Sequence, residues 1–394
     1  MLDSMMNNFL NKIYWYLIAC LLFCLVIVDG NADDFPLKTK FGVWEIVDTI
    51  GHPNRMFYKC IDCADSLNCI AIAYSGSEYQ IFRRTTDGGN SWETVYIDSL
   101  GSWIDSTGNI RNQKWNHRLN DISYPSTKLA IAVCDSGYYY RSTDKGMSWI
   151  KRKLAVDIGF ERVNQAYMYD DKYGAIKTPQ ELFLTEDGGE RWKKINSIQD
   201  GDVFLQNITS IILPAQNKIV AAGYQSGSDN SKYAIFISDD FGDTWNYYEI
   251  PKGFYHNQDI IAIDSSNYWC ATRVPANGYR DVVYKSSDGG KTWESSLDTL
   301  VESTKGLLDI AAYDENNLVA VGEHFKIWRT SDGGIHWHLD KEYKYGEFTH
   351  WSLGSVAFPT RKTNIALGIV SEEIYKYTET TTGVDHKPYQ DNYN

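Results

Sequence analysis

Short runs of alternating apolar and polar residues follow one another along most of the chain, each closed by a polar turn. Such period-two patterning, rich in β-branched and aromatic residues, predicts strands. One set shows the unit clearly. Residues 309–313 (Asp-Ile-Ala-Ala-Tyr) read as an inner strand, followed by the turn 314–317 (Asp-Glu-Asn-Asn). A near-continuous apolar run at 318–322 predicts a second strand. A third, 326–330, ends in a compact corner, and a fourth starts at Trp337.

The corner recurs. It reads Ser286-x-Asp288-x-Gly290-x-Thr292-Trp293 in one place, and Thr85, Asp87, Gly89, Ser91 and Trp92 repeat it. So do Ser142, Asp144, Gly146, Ser148 and Trp149, and Thr185, Asp187, Gly189, Arg191 and Trp192. Ser238, Asp240, Gly242, Thr244 and Trp245 form the next, and Thr330, Asp332, Gly334, His336 and Trp337 the last. The Asp can accept hydrogen bonds from backbone N–H groups further on, and the Gly supplies the positive φ of a tight hairpin. The Trp opens the returning strand with a large apolar surface. Successive Asp residues lie 43 to 57 positions apart. A strand-built repeat of that length predicts an array of four-stranded units.

The units run over 57–97, 120–154, 161–195, 207–250 and 259–297, and then from 309 through the last corner. Residues 354–378 hold three strand-like runs without a corner or fourth strand, whereas 43–47 (Val-Trp-Glu-Ile-Val) look like an isolated fourth strand. Joining the two predicts an all-β, seven-bladed β-propeller over 41–378, its last blade closed by the N-terminal strand and no sheet edge left open.

These corners resemble the Asp-box, or BNR, repeats of sialidase-type propellers. The full unit (Asp-Ile, a turn, an Ala-Val-Gly-like strand, then Thr-x-Asp-Gly-Gly-x-x-Trp) is similar to that of the Ycf48-like photosystem II assembly factors. The resemblance implies a binding or assembly platform with a chaperone-like role on a membrane-protein complex. The sialidase side implies instead a glycoside hydrolase. That family's Arg-Ile-Pro motif is absent, since Arg55 is followed by Met56 and Phe57. Arg273-Val274-Pro275 mimics it in the fifth unit, and Asp105 and Glu347 could serve as paired carboxylates on paper.

Composition narrows the classes. A net charge of −13 disfavours phosphate-backbone binding, so no nucleic-acid partner is expected. Aromatic content is 14%, including 13 Trp, of which the corners use six. Residues 13–28 are almost wholly apolar, preceded by Lys12 and followed by small residues near 30–32. That length suits a secretory signal over 1–32 better than a spanning helix, and predicts a secreted, periplasmic or cell-surface protein. Cys63 and Cys69 flank a short turn and could staple it in an oxidising compartment, while Cys134 and Cys270 sit in apolar runs as buried small hydrophobes. Cys60-x-x-Cys63 lacks a second pair or a nearby His to complete a zinc set. One carboxylate per corner is too few for calcium, and no Gly-rich phosphate loop precedes a helix. Neither metal nor cofactor is expected. Residues 379–394 are polar and aperiodic, and read as a disordered tail.

If the corners close the third-to-fourth strand turns, ligands are expected on the opposite face, where the long connections lie. These supply Trp103, Arg111, Trp115 and His117 from one connection, and Arg273, Tyr279, Arg280 and Trp351 from others. Aromatic rings beside Arg or His suit stacking on sugars or gripping a peptide. The chain is therefore expected to be a non-catalytic monomer that binds a protein or carbohydrate partner on this face. A glycosidase and a surface carbohydrate-binding module are the alternatives.

Overall fold

The computed structural model describes residues 37–38, 42–49, 57–75, 79–99, 102–104, 110–112, 118–155, 162–225, 233–250, 259–275, 279–301, 306–322, 326–341, 353–358, 365–370 and 373–379. Every regular element among them is a strand, and the sheets are antiparallel, with the four main strands of each of the six blades below in sequence order across the sheet. No helix among the described residues is long and apolar enough to cross a membrane.

Six blades follow one another. Blade 1 comprises Phe57–Cys63, Cys69–Ser75, Tyr79–Thr85 and Glu93–Ser99. Blade 2 comprises Leu119–Ser126, Leu129–Cys134, Tyr138–Ser142 and Ile150–Lys153. Blade 3 comprises Gln165–Met168, Gly174–Lys177, Leu182–Thr185 and Lys193–Ile195. Blade 4 is built from Val203–Ala215, Lys218–Gln225, Tyr233–Ser238 and Asn246–Glu249, with a further short strand, Gln199–Asp200, on Val203–Phe204. Blade 5 holds Asp259–Ala262, Tyr268–Pro275, Tyr279–Ser286 and Glu294–Val301. Blade 6 holds Leu307–Ala312, Leu318–Gly322, Ile327–Thr330 and His338–Lys341. The fifth strand in blade 4 departs from the expected four, because the connection out of blade 3 doubles back as a hairpin.

The remaining large sheet joins both ends of the chain. Leu353–Ala357, Ile365–Val370 and Glu373–Glu379 are its first three strands, and Gly42–Thr49 lies antiparallel on the last of them, with Ile46 opposite Tyr375. This is the pairing expected from the missing fourth strand.

The core lies between sheets, as propeller architecture requires. Second strands are buried throughout in blades 2, 3 and 6; those of blades 2 and 6 are unbroken apolar runs, whereas that of blade 3 ends in the buried Lys177. Ile70, Ile72 and Phe82 of blade 1 meet Ile122, Tyr124 and Trp149 of blade 2, and Trp149 stacks on Phe82 with centroids 4.0 Å apart. Val319, Val321 and Ile327 of blade 6 meet Val356, Tyr375 and Tyr377 of the terminal sheet. That sheet's other face puts Ala357 and Ile374 against Tyr58 and Ile61 of blade 1.

The recurring corners share one hydrogen-bond pattern. Thr85 Oγ1 donates to Asp87 Oδ1 at 2.7 Å and accepts from the Gly89 N–H at 2.9 Å. Asp87 Oδ1 also accepts from the Ser91 N–H, and Oδ2 from the Ser91 hydroxyl. In two corners Arg191 Nε and His336 Nδ1 take the place of that hydroxyl, which is why this position varies in residue type. Corners also touch the preceding blade: Arg141 Nε donates to the Gly188 carbonyl at 2.7 Å, and Lys285 Nζ to that of Gly333 at 3.0 Å. Hydroxyl, Asp and Gly thus fix both the turn and the seat of one blade on another.

Candidate functional site

The innermost strands enclose a cavity of about 590 Å³ along the propeller axis. An inner strand pairs on one edge only, so backbone N–H groups on its other edge need partners. Side chains from the preceding blade supply them. Asp62 Oδ2 accepts from the Tyr124 N–H at 2.7 Å, and Asp121 Oδ2 from the Ala166 N–H at 3.0 Å. Ser123 Oγ accepts from the Met168 N–H at 2.9 Å. Gln165 accepts from the Ile211 N–H at 2.9 Å and donates to its carbonyl at 3.2 Å, so a side-chain amide mimics a strand there. Asp309 Oδ2 accepts from the Val356 N–H at 2.8 Å.

These acids sit in an unusual field. Burial pushes the Asp62 carboxyl up to about 6, against the amides of Tyr124 and Cys63 that favour its charge. Burial likewise takes Asp121 up to about 7, against the amides of Ala166 and Ile122. Asp259 and Asp309 hydrogen-bond to each other. Burial, then the charge of Asp309, holds Asp259 well above the ordinary carboxylate range, and burial raises Asp309 too. Two half-buried carboxyls in contact hold one proton between them more readily than none. Cys60 beside Asp121 is kept a thiol, first by burial and then by that neighbouring charge. Lys177 in blade 3 is pushed down to about 7 by burial, and its Nζ donates to Asn164 Oδ1 and the Ile208 carbonyl. No group of three or more His, Cys, Asp or Glu among the described residues is placed to hold a metal ion.

The residues expected to bind a partner are only partly in view. Trp115, His117 and Trp351 lie outside the described residues, as do Asp105 and Glu347. Trp103 pairs with Arg111 in the backbone ladder of a small hairpin, Ser102–Ile104 with Ile110–Asn112. Arg273 pairs with Asp281 and Tyr279 with Pro275 in blade 5. Arg280 is tied within its own blade: Nε bonds the Asp298 carboxylate and Nη2 the Asp298 carbonyl. Cys63 and Cys69 form a disulfide across the first turn of blade 1, and Cys134 and Cys270 are buried thiols.

The channel hooks escaped the sequence reading. Their signal was the Asp-Ile pair opening several units, at 121–122, 259–260 and 309–310. Gln165 and Ser123 do the same job in other residue types, which blurs the repeat.

No family model matches the sequence, and no curated protein matches it. Among solved structures it is similar to Ycf48 bound to a D1 peptide, with 17% identity and a TM-score of 0.57 over 86% of this chain and 97% of that one. Ycf48 from Cyanidioschyzon merolae gives 16% identity and a TM-score of 0.56, over 85% of this chain and 98% of that one. A GH74 xyloglucanase from Xanthomonas campestris gives 14% identity and a TM-score of 0.57, and the 85% of this chain that aligns spans 53% of the enzyme. At such identities the likeness establishes an all-β propeller, and function has to be argued from the chain's own groups.

Proposed function

We propose that this chain is a non-catalytic propeller that serves as a binding or assembly platform for a protein partner. The observation that carries this reading is the use made of the channel carboxylates. Asp62, Asp121 and Asp309, the groups with the raised affinity for protons that acid catalysis wants, spend oxygens on the N–H groups of the next blade. Asp259 and Asp309 touch each other, so they leave no room between them for a glycosidic bond and water. The Ycf48 structure with a D1 peptide gives a precedent for a propeller of this size holding a protein segment.

In the same reading the sheet that joins both termini is a seventh blade and the corners are Asp boxes. Support comes from the ladder between Gly42–Thr49 and Glu373–Glu379, and from the apolar clusters on both faces of that sheet. Export behind the signal segment 1–32 is part of the proposal, and the Cys63–Cys69 disulfide favours it.

Cross-linking in the source cell, followed by mass spectrometry, tests the platform. The expected result is one stoichiometric protein partner, cross-linked on the face opposite the corners. Turnover of any aryl glycoside or xyloglucan oligomer by the purified protein, abolished by Asp105→Asn or Glu347→Gln, would overturn it.

A further inference from the structure

A second cavity, of about 300 Å³, lies between blades 3 and 4. It opens among the connections that face away from the corners. Its floor is aliphatic: Leu182, Ile195, Ile198, Leu205 and Ile208 are all buried there. Its rim carries the exposed side chains of Gln180, Asn196 and Gln199. Phe204, 44% exposed, stands beside them.

The hollow is braced open by the hairpin peculiar to blade 4. Gln199–Asp200 pairs with Val203–Phe204 around Gly201, whose φ is 57°. The Leu205 N–H donates to the Ile198 carbonyl at 2.9 Å, and Asp200 Oδ2 accepts from the Tyr247 N–H of the outermost strand at 3.0 Å. The hairpin is thereby tied to blade 4, and Ile198 and Leu205 at its base pack in one apolar cluster with Leu182 and Ile195 of blade 3, so the walls of the cavity are fixed before any ligand arrives.

Three features define what fits. None of the lining residues is charged, in a chain where 23% of residues are. A charged occupant would lose its hydration with no ion to meet it, so the occupant is neutral. The amides of Gln180, Asn196 and Gln199 make no side-chain hydrogen bond among the described residues, and each offers both a donor and acceptors, the complement of a peptide group. The floor is aliphatic, and the one ring stands at the rim, which suits a Leu, Ile or Phe side chain better than a sugar, whose faces favour an aromatic platform. The volume is at the small end of the roughly 300–1,000 Å³ of ligand pockets, room for one side chain with its flanking backbone.

We propose that this cavity anchors an extended, uncharged segment of a protein partner by one buried aliphatic or aromatic side chain, with the rim amides bonding the peptide groups on either side. The proposal rests on the platform reading and gives it a place and a specificity.

Isoleucine-methyl NMR of the full-length protein tests it, because Ile195, Ile198 and Ile208 report directly from the floor. The probes are N-acetyl-leucinamide, its aspartate and lysine counterparts, and methyl glucoside. N-acetyl-leucinamide is expected to shift those three methyl signals and leave Ile70 and Ile131 of blades 1 and 2 unmoved. Ser197→Trp, which places a ring over the mouth from an exposed rim position, should weaken the effect at least tenfold. Unmoved floor methyls, equal shifts with the charged probes, or shifts with methyl glucoside alone would each overturn the proposal. Any of these outcomes leaves the platform standing if cross-linking still finds a partner elsewhere on the face. Shifts without any cross-linked partner would sink the platform and keep the pocket.

Discussion

Arg83 of blade 1 grips Asp48 of the N-terminal strand with two hydrogen bonds, Nη2 to Oδ1 at 2.6 Å and Nε to Oδ2 at 3.1 Å, across 35 positions of chain. The Tyr58 hydroxyl donates to the same carboxylate. Both charged side chains are largely shielded, at 16% and 12% exposure, so the pair resembles a buried clamp more than a surface ion pair. It fastens the strand that pairs with the end of the chain to the first blade. Asp48→Ala takes the carboxylate from the Tyr58 phenol and leaves the Arg83 guanidinium only Thr94 Oγ1 and the Trp92 carbonyl, and should cost about 3 kcal/mol in urea unfolding. Arg83→Lys should itself destabilise, because one ammonium cannot make the two parallel bonds to Asp48. A double-mutant cycle of Asp48→Ala with Arg83→Ala should give a coupling of about 1–3 kcal/mol. A value near zero would show the clamp to be worth no more than an exposed pair.

The corners make a sharper distinction between neighbouring positions. Gly242 has a φ of 90°, and a Cβ there would lie 2.8 Å from Leu184 Cδ1 of blade 3, itself buried. Gly242→Ala therefore meets both backbone strain and a packed neighbour, and should destabilise by about 2–4 kcal/mol. Lys145 occupies the left-handed region already, at a φ of 61°, where most corners place Gly. For Lys145→Gly the relieved strain and the added freedom of the unfolded chain are of similar size, so the change should stay within about 0.5 kcal/mol. Matching denaturation curves for the two variants would refute this account of the corner.

What was legible in the sequence was local. A corner is encoded within a few consecutive residues, so Thr85, Asp87, Gly89 and Ser91 announce their own hydrogen bonds. The pairing of the first long strand was legible by counting, since one run lacked a partner and one unit lacked a strand. The channel hooks were not, because Asp121 and its acceptor-seeking amide at Ala166 are 45 residues apart, and nothing local says which blade edge an Asp will face. The cavity between blades 3 and 4 was hidden for another reason: it depends on a hairpin that breaks the repeat, and a repeat directs attention to what recurs. Phe241, at a φ of 55° in a Gly position, is a third case, its ring packed edge-on against Tyr173 5.5 Å away.

The disulfide between Cys63 and Cys69 closes a loop of only six positions. Loop closure so short stabilises by about 2 kcal/mol in the chain-entropy picture. Reduction should lower the unfolding free energy by that amount, moving the urea midpoint down with it, and leave the native circular dichroism unchanged. In the same experiment Cys134 and Cys270, both fully buried, should resist a thiol reagent until the protein unfolds. Loss of native structure on reduction alone would mean that the staple holds more than its own turn.

Stability should pass through a maximum in mild acid, because the channel and the corners titrate in opposite senses. Asp62 and Asp121, raised to about 6 and about 7 from 3.8, bind protons more tightly when folded than unfolded. Their charged forms weaken the fold, so stability climbs as the pH falls from above 7 toward 4. Asp340, pushed up to about 6 by burial, adds to the same trend. Lys177, down at about 7 from 10.5, carries its penalty in full below that pH and sheds it as the pH rises from 7 toward 10.5, so it leaves the acid window untilted and opposes the channel acids only above 7. In Asp87 the upward push of burial is outweighed by the hydrogen bonds from Ser91, Thr85 and Asn90 taken together, which hold it at about 2. The stability contributed by such corners is whole above 4 and is lost as the pH falls through 2. Urea midpoints measured from pH 2 to 8 should therefore peak near 4 to 5. Asp121→Asn keeps an oxygen for the Ala166 N–H and removes the charge, so it should raise the midpoint at pH 8, leave it nearly unchanged at pH 4, and flatten the slope between. A midpoint that rises steadily from pH 4 to 8 in the parent chain would mean that the channel acids are ionised at no cost, and that water reaches them.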